Sequence, residues 1–269
     1  MRLSALNLLA SVIVLGAALA APPVKAQAFD AVRLYGAASG RDLGLAGAAV
    51  VAGAAYQGSD KRRTMLLPLL DYQWANGWFA GTSNGVGYNF STAKATDYGV
   101  RITADLGRAQ SRSDRLRGMG DVDARAEFGA FFNTALTQQF SLTSSLRYGA
   151  GNGKGLVLDL GAAYAIPLAA QWRLGVGVGA SLVNASYMQS YFGVTSAQAS
   201  ASASQYRVYK PEGGLRNMRV NAAATYLVSP RASVTVGVSA NTLLGDAADS
   251  PLVRKKSIVS GLLAASYAF

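Results

Sequence analysis

The sequence predicts an all-β protein, a closed antiparallel transmembrane β-barrel of twelve strands preceded by a signal peptide. Three observations carry this prediction. Residues 257–269 alternate with period two and end on the aromatic Phe269. Seven further segments of nine to eleven residues show the same alternation, the length a tilted membrane strand needs. Finally, 51% of the residues are hydrophobic and 14% charged, yet the mature chain has no apolar run of 18, so helical spans are excluded.

The first residues read as a targeting signal. Arg2 gives a positive start, residues 6–21 are apolar, and Ala26-Gln27-Ala28 offers a small-x-small cleavage site. Residues 1–28 are therefore expected to leave, and residues 29–269 to form the barrel domain. Removing Arg2 and Lys25 takes the 25 basic residues to 23, against 14 acidic ones. That excess suits anionic headgroups, so the expected partners include outer-membrane lipid and lipopolysaccharide. No motif points to nucleic acid.

The early strands are rich in small residues. Residues 43–56 and 65–74 read as two strands, the second setting Leu70, Tyr72 and Trp74 against Asp71 and Gln73. Residues 77–90 read as a hairpin of two short strands about Asn84-Gly85, a tight-turn pair. Counting that hairpin as two makes the total twelve, with ten as the nearest alternative; a single-chain bacterial barrel requires an even number.

The later strands alternate plainly. In 98–106, Tyr98, Val100 and Ile102 oppose Arg101, Thr103 and Asp105, and in 124–132, Phe128 and Phe132 oppose Arg125 and Glu127. Residues 140–148 set Phe140, Leu142, Leu146 and Tyr148 against Ser141, Thr143, Ser145 and Arg147. Segment 155–165 sets Leu156, Leu158, Leu160 and Tyr164 against Val157, Asp159 and Gly161. Trp172 heads the outer face of 172–182, opposite Arg173 and three glycines. In 218–228, Val220 and Tyr226 oppose Arg219 and Asn221, and in 232–241, three valines oppose Ser233, Thr235 and Ser239. One face of each strand is large and apolar, often with an aromatic at its end, as a lipid-facing wall with interfacial girdles requires. The other face is small and polar, which suits the interior of a modest barrel.

This parity puts Asp71, Arg101, Asp105, Arg125, Glu127, Arg147, Asp159, Arg173 and Arg219 on the lumen side. Mixed signs point to a charge ladder filling a narrow barrel; a selective pore more often carries a ring of one sign. The short connections 75–76, 92–95, 134–138, 167–171 and 229–231 become periplasmic turns. Stretches 57–64, 107–123, 149–154, 184–217 and 242–256 become external loops. Tyr187, Met188, Tyr191 and Phe192 give loop 184–217 an apolar cluster, which is expected to fold into the barrel mouth and partly close it.

Catalytic chemistry finds little support. The chain has no His and no Cys, which removes imidazole and thiolate mechanisms. Asp246 with Asp249, and Asp121 with Asp123, each supply two carboxylates, whereas calcium wants six to eight oxygens. These read as loop carboxylates, solvated or paired with Arg254. Glycine-rich 149–155 leads into a strand, not a helix, so it lacks the context of a phosphate loop. The sequence implies no catalytic set, no metal and no cofactor.

Four loop motifs carry a family resemblance. They are Tyr56-Gln57-Gly58-Ser59-Asp60, the stretch 116–123 with Gly118, Gly120 and Asp121, and Tyr187-Met188-Gln189-Ser190-Tyr191-Phe192-Gly193. The fourth is stretch 243–253 with Gly245, Asp246, Asp249, Ser250 and Pro251. Together they resemble the MipA/OmpV family of outer-membrane proteins. The resemblance implies a barrel in the cell outer membrane with no catalytic residues. For the family's namesake it implies a scaffold that brings a lytic murein transglycosylase and a bifunctional murein synthase together in cell-wall maintenance. Other members are porin-like or adhesive, so a narrow channel, or an adhesin using loop 184–217, is the alternative.

Overall fold

The structure, a computed structural model, describes residues 42–93, 95–151, 155–203 and 205–269. The expected signal peptide and the rest of the chain before Asp42 lie outside the described residues. Twelve strands close into one barrel: β1 (Leu43–Ala54), β2 (Arg62–Gln73), β3 (Trp78–Gly81), β4 (Gly85–Asn89), β5 (Thr96–Asp105) and β6 (Arg125–Ala135) form one half. The other half is β7 (Phe140–Gly149), β8 (Leu156–Pro167), β9 (Trp172–Val183), β10 (Gly214–Leu227), β11 (Ala232–Leu243) and β12 (Ser257–Ala268). Each strand pairs with its sequence neighbours, antiparallel throughout, and β1 pairs with β12 to close the ring.

The seam runs from Leu45↔Ala268 to Ala52↔Gly261. Gly44 and Phe269 extend it by exchanging two backbone hydrogen bonds of 3.0 Å, and the Phe269 ring fills the space that a side chain at Gly44 would need. Three periplasmic turns share one geometry. Leu136, Leu168 and Val228 each donate a backbone bond, at 2.9–3.1 Å, to the residue four further on. Thr137 and Ser229 hold two of these turns with side-chain oxygens that accept from the returning backbone, the ordinary use of hydroxyl residues in turns.

The outer face is a continuous apolar surface, with Val100, Phe128, Val178, Val220 and Val236 all exposed. Near the periplasmic turns it ends in an aromatic belt. Tyr72 meets Trp74 (4.9 Å between ring centroids) and Phe269 (6.4 Å). Trp78, Tyr88, Phe90 and Tyr98 follow one another at 5.3, 5.2 and 6.2 Å. Such rings sit where one end can be apolar and the other wet. A closed barrel with this belt is an outer-membrane structure: each strand pairs with both neighbours around the ring, as hydrocarbon demands of a spanning sheet.

The inner face departs from the expectation of a uniformly small, polar lumen. On β12, β1 and β2 it is apolar, with Ala49, Leu69 and Ala264 packed on Leu262, and Val51 on Met65. Phe79 and Phe131 meet edge-to-face inside the lumen at 5.9 Å. β10 begins at Gly214 rather than Met218, with a bulge between Leu215 and Asn217 that carries Arg216 into the interior.

Gly47 stands opposite Ser266 in the seam, and a Cβ there would lie 2.8 Å from Ser266 Cα. Gly47→Val is expected to weaken barrel closure by about 1–3 kcal/mol. The check is the urea midpoint of the heat-modifiable folded band in detergent, which should fall.

Candidate functional site

The lumen charges form two linked groups near the outer mouth. On β7, Arg147 donates Nη1 to Glu127 and Nη2 to Asp159, both at 2.6 Å, and Ser181 Oγ also donates to Asp159. On β6, Arg125 bridges to Asp105 of β5 at 3.0 Å. The register explains these pairs, because Glu127 lies opposite Thr103 and Gly149, two lumen-facing positions on β5 and β7. The other predicted lumen residues are placed differently. Asp71 accepts from the backbone N–H (3.1 Å) and hydroxyl (2.7 Å) of Ser83 at the β3–β4 turn. Arg101 donates to Asn84 (3.3 Å) and Ser145 (2.8 Å) and lies over the Phe131 ring. Arg219 occupies the room left by Gly179, and half-buried Arg173 stands near the periplasmic end, opposite Thr225 and Pro167.

A cap of external loops sits above this ladder. Its centre is a helix, α1 (Ala185–Phe192), with Tyr187, Met188, Tyr191 and Phe192 on one buried face. Positions i, i+1, i+4 and i+5 share a helical face, so the sequence spacing suits a helix that covers a core. Asn184 caps the helix by accepting from Tyr187 N, and the same oxygen accepts from Leu156 N of β8, both at 3.0 Å. Tyr187 and Tyr191 stack at 4.6 Å. Below them, Tyr191 Oη donates to Asp105 of β5 at 2.5 Å, while Arg216 Nη1 donates to Tyr187 Oη at 2.6 Å. The helix also packs on Val157, Val183 and Leu243, the last residue of β11. β5 and β11 are six places apart in a ring of twelve, so α1 crosses the mouth from wall to wall.

The motif loops meet on this cap. Tyr56 Oη donates to Leu252 O at 3.0 Å, and Ser250 Oγ donates to Phe192 O at 2.6 Å. Gly58, at φ +89°, accepts through its carbonyl from Arg254 N at 2.8 Å. Ser59 is buried and Asp60 exposed at the same turn. Gly193 ends α1, donating to Met188 O and Gln189 O. Gly245, at φ +50°, opens the short α2 (Gly245–Asp249). Within it, Asp246 accepts from Glu212 N at 2.7 Å and Asp249 pairs with Lys256 at 3.0 Å. Pro251 is half-buried beside Ser250. Among the described residues, no three carboxylates gather as a metal site.

Two arginines of the cap escaped the sequence reading. Arg108 is buried and donates to Tyr191 O at 2.7 Å; burial lowers its pKa. Arg216 is buried beneath Tyr187. Both lie in stretches read as loop, where the period-two signal that marks an inward side chain is lost. Burial raises the phenol pKa values of Tyr187 and Tyr191, and holds Tyr56 up at about 12, with Tyr206 and Asp60 adding to the rise.

Two outcomes follow from this geometry. Arg147→Met strands Glu127 and Asp159 without their shared cation, and should cost about 3–5 kcal/mol in urea unfolding of the refolded barrel. The Tyr56 phenol, raised from 10.0 to about 12, stabilises the cap fully below pH 10 and loses that contribution as pH climbs through about 12. In an ultraviolet tyrosinate titration, Tyr56→Phe should remove one late-ionising phenol.

Among solved structures, the NanC porin superposes with a TM-score of 0.49 at 11% identity, over 82% of this chain and 98% of that one. The KdgM porin gives 0.46 at 9%, over 84% and 99%. An outer membrane channel from Pseudomonas putida F1 gives 0.46 at 11%, over 94% and 100%. No curated protein matches the chain. The family model described as MltA-interacting protein MipA matches residues 46–269, from within β1 to the last residue. With that match across the closed outer-membrane barrel and its capping loops, the chain belongs to the MltA-interacting protein MipA family.

Proposed function

We propose that this protein is a non-enzymatic scaffold of the outer membrane, holding a murein hydrolase and a murein synthase together at its periplasmic side. The observation that supports the reading most is the crossing of the mouth by α1, from Asp105 on β5 to Leu243 on β11. Beneath it, the side chains of Asp97, Glu127, Asn133, Ser145 and Ser181 are all buried, although they face the lumen. A barrel filled in this way acts through its surfaces rather than its bore. The family description, an MltA-interacting protein, supplies the class of partner. The periplasmic turns are parts that such a partner reaches, and the segment leading into β1 is the other candidate.

The test is affinity retention of periplasmic and membrane proteins on the immobilised, refolded barrel, with and without residues 29–42. Retention of a murein hydrolase together with a murein synthase, lost with the segment, is the expected outcome. The same preparation should give no stepwise conductance in planar bilayers. Failure to retain either enzyme on a barrel that migrates as folded, or steady open-channel current, would overturn the reading.

A further inference from the structure

The barrel wall is not of one height. β2 runs for twelve residues, but its ladder to β3 holds only the pairs Asp71↔Gly81, Tyr72↔Ala80 and Gln73↔Phe79. On the far side, β4 pairs with β5 only as far as Val86↔Ile102. A strand tilted by about 40° gains roughly 2.5 Å of height per residue. The hairpin tip at 82–84 therefore stands about 10 Å above Trp78, within an apolar band about 25 Å tall. The tip is anchored at that height, because Ser83 and Asn84 turn inward onto Asp71 and Arg101.

Two hydrogen bonds at the tip show which backbone groups face the gap above it. Thr82 donates its N–H to Leu70 O at 2.8 Å and its hydroxyl to Pro68 O at 3.1 Å, so even-numbered residues of β2 turn their peptide groups toward the hairpin. By the two-residue repeat, Leu66, Thr64 and Arg62 turn theirs the same way, above the tip. On β5, Tyr98 O accepts from Phe90 N, so the even residues face β4, and Ala104 lies beyond the last pair. Among the described residues, none of these four meets a partner across the gap. Pro68 brings no N–H to the edge, but Leu66, Thr64 and Arg62 each bring one. Hydrocarbon cannot satisfy such groups; water can.

The outward side chains change character at the same level. On β2 the apolar outward positions run from Tyr72 up to Leu66, and the exposed Thr64 and Arg62 follow. Thr82, at the hairpin tip, is exposed too. On β9, across the barrel, the outward apolar run goes from Trp172 to Leu182 without a polar residue. At roughly 2.5 Å per residue the two runs are about 15 and 25 Å tall. An arginine such as Arg62 keeps its charged head in water, which sets the polar boundary low on this side.

From the open backbone edge and the shortened apolar run, we propose that the face from β2 to β5 is hydrated in the outer half of the membrane and draws the outer-leaflet headgroups inward. The partner of this face is the bilayer itself, thinned on one side of the barrel. The tall strands of the opposite face hold the leaflet at full thickness, so the protein puts a step in the membrane around it. The proposal is independent of the scaffold reading, since retention of murein enzymes tests the opposite rim.

The chain has no Cys, so a single introduced cysteine is a unique site for a spin label. Leu66 lies six residues above Tyr72, and Val178 six above Trp172, which puts them at one height on two faces. Leu66→Cys and Val178→Cys are each labelled in the refolded full barrel, in nanodiscs of oleoyl phosphatidylcholine. Power saturation then compares collision with a water-soluble nickel chelate against collision with oxygen, which concentrates in hydrocarbon. The nickel-to-oxygen ratio should be roughly fivefold higher at position 66. On the unlabelled barrel in the same discs, the amides of Thr64 and Leu66 should exchange hydrogen on the order of a hundredfold faster than those of Val178 and Val220. Leu66 is 72% exposed, so its label displaces no packing, and the exchange measurement needs no substitution. Equal nickel-to-oxygen ratios, or protected amides at 64 and 66, would overturn the proposal. Protection that disappears as the barrel is diluted in lipid would put a second copy on the edge, and would overturn it equally.

Discussion

Backbone polar groups cannot go unmet in hydrocarbon, and the rest of this structure depends on that constraint. The antiparallel ring meets it by leaving no edge, and the β1–β12 seam is where the ring is completed. The seam dictates small residues on β1, because Gly44 and Gly47 face Phe269 and Ser266 at close range. Because β1 and β12 are antiparallel, the start of β1 and the end of β12 lie on one rim, and the long loops open from the other. The short strands β3 and β4 relax the constraint locally, since β2 pairs with β3 only from Asp71 to Gln73 and β4 with β5 only up to Val86↔Ile102. They do so beside Pro68, which has no N–H to leave unmet.

Filling the ring raises a second problem. Side chains on the inner face of a twelve-stranded barrel enter a space with little water, where an unpaired charge is costly. Two devices deal with this. On the arc from β5 to β9, alternating signs across neighbouring strands place Arg125 on Asp105 and Arg147 between Glu127 and Asp159. On the arc from β12 to β2 the charges give way to aliphatic residues that pack on one another. The cap continues both, with α1 bringing phenols to the charged side and Phe192 to an apolar cluster. Loops that hold one another through Tyr56, Ser250 and Arg108 turn separate excursions into a lid.

A lid tied to a filled lumen moves the expected work of the protein to its two rims. The periplasmic rim is made of tight turns and aromatic side chains, the external rim of packed loops and arginines. In the proposed scaffold reading, the first is the rim open to a protein partner. The two faces are separated by the ladder, so each can be altered without disturbing the other.

The period-two pattern of the sequence determined the strands, their inward and outward faces, the aromatic belt and the side on which the long loops lie. It did so because these follow from the two-residue repeat of an extended chain and from the thickness of a bilayer. The same parity put Arg147, Glu127 and Asp159 in the lumen, and the aromatic content of 187–192 marked that stretch for burial. Only the tertiary structure decided which charges meet, because a pair such as Arg147 and Glu127 depends on register between strands. It alone brought Tyr56, Phe192 and Ser250 together, since they lie on three separate loops. Arg216 was hidden because a bulge interrupts the alternation that would have marked it as inward. The height of the wall was hidden for a related reason. A hairpin's own residues state its length, but the gap above it exists only against the longer strands on either side.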